Sequence, residues 1–411
     1  MHSDKRKRWL AMRNPVMTRP RTVALAIVAT ELGAMFVGAI LPTPLYPLYR
    51  QAFGFSGVTL TLIYAVYVVG NLVALLLFGR LADQIGRRAA SLPAIGVGIA
   101  STGAFALAAS TVWLFAARAL SGFSTGLAAG AATAWIAELH PGGAGSRGAA
   151  ARIAAAANFF GCSAGPLIGG VLAQFAFWPL RLPFILYLVL LGGVCIAICF
   201  APETLADPKR ISEVSLRPRL GVPRQIWLQF VAPAATSFAT FALIAFYAAL
   251  IPNLLAESLH QPAPLVAGAV VCELFGIAAV TILSTGRIES RAAMLGALAV
   301  LLPSVWLLVG AEVARSMPLL IFAAAVGGVA GGLGYRGSLE VVNRIAPADR
   351  RSEVVSSYLV VCFAGNSLPV IGIGFLSSVT GALTAHVTFA TVITVLAGLA
   401  AATGIKYAPG N

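Results

Sequence analysis

The sequence predicts an all-α polytopic membrane protein with twelve transmembrane helices in two six-helix pseudo-repeats. Three observations predict it. Of the 411 residues, 59% are hydrophobic and only 10% charged, against about 25% charged residues in soluble domains. Twelve apolar runs approach or exceed the roughly 20 residues that a spanning helix needs. The basic residues gather in alternate connections between those runs.

The runs cover residues 23–48, 58–78, 89–109, 112–139, 154–177, 184–201, 226–254, 264–283, 292–310, 319–342, 356–379 and 385–402. An even number places both chain ends on one side. A basic segment, 1–22, precedes the first run and contains Lys5, Arg6, Lys7 and Arg8. Counted around this side, 23 Lys and Arg residues fall in or beside its segments, while the opposite connections hold only Arg50, Arg181 and Arg315. The positive-inside rule makes the basic side cytoplasmic, which for a bacterial cell means the inner membrane. The net charge of +14 then reflects loops facing anionic lipid rather than nucleic acid. The five cysteines lie inside apolar runs without metal-ligand spacing. No nucleotide-binding G-x-x-x-x-G-K-[ST] occurs. Neither an enzyme nor a cofactor is expected.

The polar stretch 202–225 divides the chain into six-helix bundles at 23–201 and 226–402, with a short cytoplasmic tail at 403–411. The halves echo each other at an offset near 204–207. Arg147, Gly161 and Gly170 recur as Arg351, Gly365 and Gly374, and Pro141 recurs as Pro347. Parallel six-helix repeats place a site near the midplane between them.

The second inner connection reads GRLADQIGRR, residues 79–88. Gly79 lets two helices approach and Gly86 permits a tight turn. Asp83 accepts hydrogen bonds or faces a helix N-terminus, and Arg87 and Arg88 anchor the loop at the lipid surface. An ordinary basic hairpin would look the same. The fourth run contains RALSGFSTGLAAG, which sets Arg118, Gly122, Gly126 and Gly130 at steps of four along one helix face. The fifth contains GCSAGPLIGG, with Gly161, Gly165 and Gly169 at the same step beside Gly170. Pro166 removes a backbone donor there and kinks the helix.

These stretches resemble motifs A, B and C of the major facilitator superfamily, in the twelve-span drug:proton antiporter branch. Motif A matches at Gly79, Asp83, Gly86, Arg87 and Arg88 and departs at Gln84, where a basic residue is usual. The resemblance implies a major facilitator fold in which that loop latches the halves together when the transporter faces outward. It also implies antiport, through the uninterrupted match to motif C. APETL, 201–205, resembles the end of the sixth span in the same branch.

Glu31 stands in the apolar stretch AIVATELGAMFVGAI, 26–40, where a carboxylate costs about 2.5–3.5 kcal/mol. Arg118 is intramembrane as well, and each charge is less costly paired. The first and fourth spans line the cavity in this family, so Glu31 and Arg118 are expected to meet as a proton-coupling site. A permanent structural ion pair is the alternative. Glu273, ten residues into the eighth run, is a second proton-coupling candidate, or else a protonated acid in the packed bundle. Arg336 and Glu340, four apart, are expected to pair on one helix face. Met35, Phe36, Tyr64, Tyr67, Asn71, Phe238, Phe241, Tyr247 and Tyr335 are the candidate walls of a site for an amphipathic organic substrate.

The expectation is a monomeric secondary transporter that exports such a compound in exchange for protons by alternating access. An importer or facilitator of sugars or organic acids is the alternative on this fold. A ligand-sensing membrane protein that transports nothing is the alternative of another class.

Overall fold

The computed structural model describes residues 18–140, 147–209 and 220–408. The basic run at 5–8 and Arg13, Pro141, Arg210, Arg217 and Arg219 lie outside the described residues, and Arg147 is described in its backbone only. Among the described residues, twelve helices are long and apolar enough to cross a membrane. They are Arg21–Phe53, Gly57–Ile85, Arg87–Ala106, Thr111–Leu139, Gly148–Phe175, Leu182–Cys199, Arg224–Glu257, Pro264–Ser284, Ser290–Val313, Met317–Ile345, Arg351–Thr380 and Ala382–Tyr407. These spans are called first to twelfth below. The face that carries Arg21 and Lys406 is called the basic face, and its opposite the far face.

Several spans run a turn or more past their apolar stretches, because backbone pairing continues into the polar rim. The first is interrupted at Pro42, Pro44 and Pro47, where LPTPLYPLY leads one to expect a break in the helix. A helix Thr18–Ile40 gives way to a 3-10 turn, Thr43–Leu45, and then a second helix, Tyr46–Phe53. Gly54, at φ 70°, ends that piece, and Ser56 caps the next helix by accepting from the Thr59 N–H at 3.1 Å. Helix-breaking residues thus cluster at the far end of the first span, where the chain turns.

Glycine sets how closely the helices approach. A Cβ at Gly122 would lie 1.9 Å from the Tyr67 carbonyl oxygen, and one at Gly126 would lie 2.8 Å from that of Asn71. The fourth span therefore lies backbone-to-backbone on the second, the small-residue contact usual between membrane helices. The fifth span uses two faces. Gly161, Gly165 and Gly169 lie against the carbonyls of Gly33, Val37 and Leu41 of the first span. Gly170 meets the Pro264 carbonyl, and the Pro166 carbonyl meets Gly268, both across the boundary between the halves. One helix, Arg147–Phe175, continues through Pro166.

The third span begins at a cap made from a distant segment. Gly86, at φ 108°, turns the chain, and the Glu203 carboxylate accepts from the Arg87 N–H at 2.9 Å and the Arg88 N–H at 3.0 Å. The N–H groups of Thr204 and Leu205 close on the same carboxylate. Partial burial acts to raise the pKa of Glu203, but the backbone donors of Arg87, Leu205, Arg88 and Thr204 together hold it below the usual carboxylate range.

Two tests follow from these contacts. Gly122→Ala should lower the stability of the detergent-solubilised protein by about 1–3 kcal/mol, whereas Gly192→Ala, facing open space, should leave thermal unfolding unchanged. Glu203→Gln should cost about 0.5–2 kcal/mol, the usual worth of a helix cap. Because the Glu203 pKa is depressed, its stabilisation is present near neutral pH and is lost as pH falls through the folded-state value. The gap between native and variant unfolding should therefore close below about pH 4.

Candidate functional site

The first and fourth spans bring Glu31 and Arg118 into the interior of the N-terminal half but at different depths. Arg118 is 1% exposed, and its Nη1 donates to the Ala39 carbonyl at 2.6 Å. Its guanidinium lies 4.8 Å from the Tyr67 ring centre and 5.4 Å from that of Tyr64, the geometry of a cation–π pair. Ala39 is eight residues beyond Glu31, about 12 Å along the helix axis. The expected Glu31–Arg118 pair is therefore not formed. Arg118 has taken a backbone acceptor freed by the break after Ile40, together with two aromatic faces.

Glu31 is fully buried, and neither carboxylate oxygen has a hydrogen-bond partner. The Ser91 hydroxyl of the third span lies against it without hydrogen-bond geometry. Unpaired buried polar groups cost about 1–3 kcal/mol, more when charged. The carboxyl thus lies dry and unpaired, with a donor close by.

The aromatic candidates divide. Tyr64 donates to Asn366 Oδ1 across the halves at 3.3 Å. Tyr335 lies 5.8 Å from Phe241 and 5.6 Å from Phe159, and Phe159 lies 5.9 Å from Phe275. Rings from the fifth, seventh, eighth and tenth spans therefore meet at the junction of the halves, where Tyr64 of the second reaches Asn366 of the eleventh. Phe36 packs where the first and fifth spans touch, and the Phe238 backbone lies on Gly365. Other candidates face elsewhere. Met35 lines a cavity of about 10 Å³ inside the N-terminal half with Gly98, Ser121 and Tyr187. Asn71 is packed against Gly126, and Tyr247 is fully buried with an unpartnered hydroxyl. Hydrophobicity alone gave no means of separating the rotations of these side chains.

Glu273 is separate from this centre. It is partly exposed, on the ridge that includes exposed Ala269 and Val280. The Tyr247 hydroxyl of the seventh span lies within electrostatic range of it, and Glu273 is not among the residues of the aromatic junction. Phe159, Phe275 and Asn366 were missed. Asn366 follows Gly365, the repeat partner of Gly161, and Phe159 sits two residues before Gly161. The repeat could have found both.

At the basic face, Arg87 binds Asp83 and both oxygens of Glu138, with Arg87 Nη2 2.6 Å from Glu138 Oε1. Thr204 donates its hydroxyl to the same Glu138, and Arg88 donates to the Cys199 carbonyl at 3.1 Å. Among the described residues, the side-chain hydrogen bonds and ion pairs of Asp83, Arg87 and Arg88 stay within the N-terminal half. The latch between the halves is the expectation for the outward-facing state; here these residues form a clasp on the loop, the end of the fourth span and the segment after the sixth. Its acids Glu138 and Glu203 come from those two elements, beyond the motif itself. In the C-terminal half Arg336 pairs with Glu340 at 3.5 Å and donates to the carbonyls of Thr285 and Ile288.

Contacts across the halves occur at the basic face, where Arg152 of the fifth span lies against Gly286, and at the far face. Arg50 lies 3.6 Å from Glu257. A Cβ at Gly374 would meet Thr61, and the Leu265 N–H donates to Gln174 at 3.2 Å.

The chain resembles solved structures along nearly its whole length. One is a bacterial homolog of the human lysosomal transporter Spinster, inward-facing and unoccupied, with a TM-score of 0.69 at 16% identity over 95% of this chain and 99% of that one. Another is the human organic anion transporter MFSD10 (TETRAN), with a TM-score of 0.66 at 17% identity over 93% and 99%. A curated relative, the multi-drug resistance efflux pump PmrA homolog of Lactococcus lactis subsp. lactis (strain IL1403), is 32% identical over 166 residues. That stretch spans 38% of this chain and 40% of the relative. The family model described as Major Facilitator Superfamily matches residues 23–369. With twelve spans, a junction of two halves and a match over most of its length, the chain belongs to the major facilitator superfamily.

Proposed function

We propose that this transporter exports a small amphipathic organic compound in exchange for protons, with the basic face cytoplasmic and Glu31 as the proton carrier. The observation that carries the reading is Glu31 itself, a fully buried acid without a hydrogen-bond partner in the first span. A purely structural carboxyl would be expected to hold a partner. One whose charge changes during a cycle needs a dry resting place and a route to water. The helix in question lies against the motif C glycines of the fifth span, so relative movement of the halves reaches it directly.

Tyr64, Tyr67, Phe159, Phe241, Phe275 and Tyr335 supply the mixed aromatic wall that an amphipathic molecule requires. The efflux pump named above supports export, through a partial alignment. In the inner membrane, 23 basic residues on the cytoplasmic side against 3 outside would satisfy the positive-inside rule. The transporter acts as a monomer with the proton as coupling ion.

A second reading, an importer or facilitator of organic acids, draws on Arg118. Its Nε has no partner, and its guanidinium sits between tyrosines at the junction. In that reading an anionic substrate displaces the Ala39 carbonyl.

Proteoliposomes with an imposed pH gradient separate the two. An amphipathic dye should move against its gradient when protons flow the other way, and movement indifferent to the pH gradient would remove proton coupling. Glu31→Gln should reduce gradient-driven exchange to background while binding of the dye stays measurable. Coupling that survives this change would take the carrier role from Glu31.

A further inference from the structure

An acid–base pair lies at the far face, away from Glu31. Glu312, in the last turn of the ninth span, and His386, in the first turns of the twelfth, are both buried. His386 Nδ1 and Glu312 Oε2 are 2.6 Å apart. Ser258, which ends the seventh span, donates its hydroxyl to Glu312 Oε1 at 2.9 Å. The imidazole stands edge-on to Phe246 at 4.9 Å, so its orientation is set by packing as well as by the carboxylate. Three helix ends of the C-terminal half are tied together at this point.

The pair also borders the boundary between the halves. Ser258 follows Glu257, which faces Arg50 of the N-terminal half at 3.6 Å. A cavity of about 230 Å³ opens here, and Arg50, Glu257, Ser258 and His386 all line it. Water in that cavity would reach the imidazole directly, whereas Glu31 has no exposed surface.

We propose that Glu312 and His386 form a proton-binding site that sets how firmly Arg50 holds the two halves closed. The charged groups around it fix the sign. The first span contributes Arg50, the seventh contributes Glu257, and the turns beyond the seventh and ninth carry exposed His260 and Arg315. The eleventh span lines the cavity with the hydroxyls of Ser377 and Ser378, and the tenth begins with Met317, Pro318 and Leu319, which do not titrate. Without an extra proton, the neutral imidazole and the carboxylate carry one negative charge and, with Glu257, attract Arg50. Each proton taken from water adds a positive charge to the wall of the cavity that holds the guanidinium. Attraction falls in the confined space, and the far-face closure weakens. Acid opens the far face, and alkali closes it. The site does not depend on Glu31 carrying protons, and it gives the far face its own response to pH.

Nitroxide labels at exposed Gln51 and Gln261, in a full-length variant with the five native cysteines replaced, would report the separation of the halves. Between about pH 8 and 5, the range in which an imidazole ordinarily changes charge, the long-distance population should rise several-fold. His386→Gln should abolish that rise, Glu312→Gln should populate the open state already at pH 8, and Arg50→Gln should flatten the pH response, because the pair then has no guanidinium to hold. His386→Gln and Glu312→Gln are read separately, so that either one decides if the other fails to fold. An unchanged pH response in the variant read, or no response in the native pair, overturns the proposal. So does a response that survives His386→Gln but disappears in Glu31→Gln, because the sensing would then belong to the first span.

Discussion

Hydrocarbon offers no hydrogen bonds, and the organisation of this protein follows from that constraint. Each span must pair its backbone internally, which leaves helices as the local solution and directs polar side chains to whatever acceptors helices provide. Thr102, Thr125 and Thr236 return their hydroxyls to carbonyls four residues earlier. Ser101 and Ser124 instead reach carbonyls of neighbouring helices. Arg118 follows the same logic at higher cost. Its guanidinium reaches the Ala39 carbonyl beside the proline-rich turn, where the helix leaves carbonyls free. Against this background Glu31 stands out as a buried carboxyl with no partner on either oxygen.

The same constraint explains the glycines. Apolar side chains gain little from meeting each other when lipid is equally apolar, so helices associate through close packing. The fifth span has one glycine face for its own half and a second contact around Pro166 and Gly170 for the other half. Ser163 donates to the Cys272 carbonyl across the same boundary at 2.8 Å. A helix held on both sides in this way transmits movement of one half to the first span, on which Glu31 sits. Motif and acid thus belong to one mechanical unit although they are separated by 130 residues.

Much of the fold was legible because hydropathy and charge are local quantities. The spans, the break at Pro42, Pro44 and Pro47, and the Arg336–Glu340 pair all depend on residues close together in sequence. The candidate site was legible in its residue types and less so in their company. Glu31 and Arg118 were correctly read as buried, but their depths depend on where each helix begins. The first helix starts at Thr18 and turns only after Ile40, so Arg118 reaches its far end. Glu138 and Glu203 escaped notice as partners of Arg87 because they lie 51 and 116 residues away. His386 and Glu312 are 74 apart.

By itself the sequence determined the number of spans, the asymmetry of basic residues and the positions where helices break, since each is a sum over neighbouring residues. Only the tertiary structure decided which polar groups meet. It set Glu273 apart from the aromatic junction, gave Arg87 its partners Asp83 and Glu138 and placed His386 beside Glu312. Those outcomes depend on the rotation and axial shift of packed helices. A shift of one helical turn, about 5.4 Å, changes every partner while leaving the hydropathy profile unchanged.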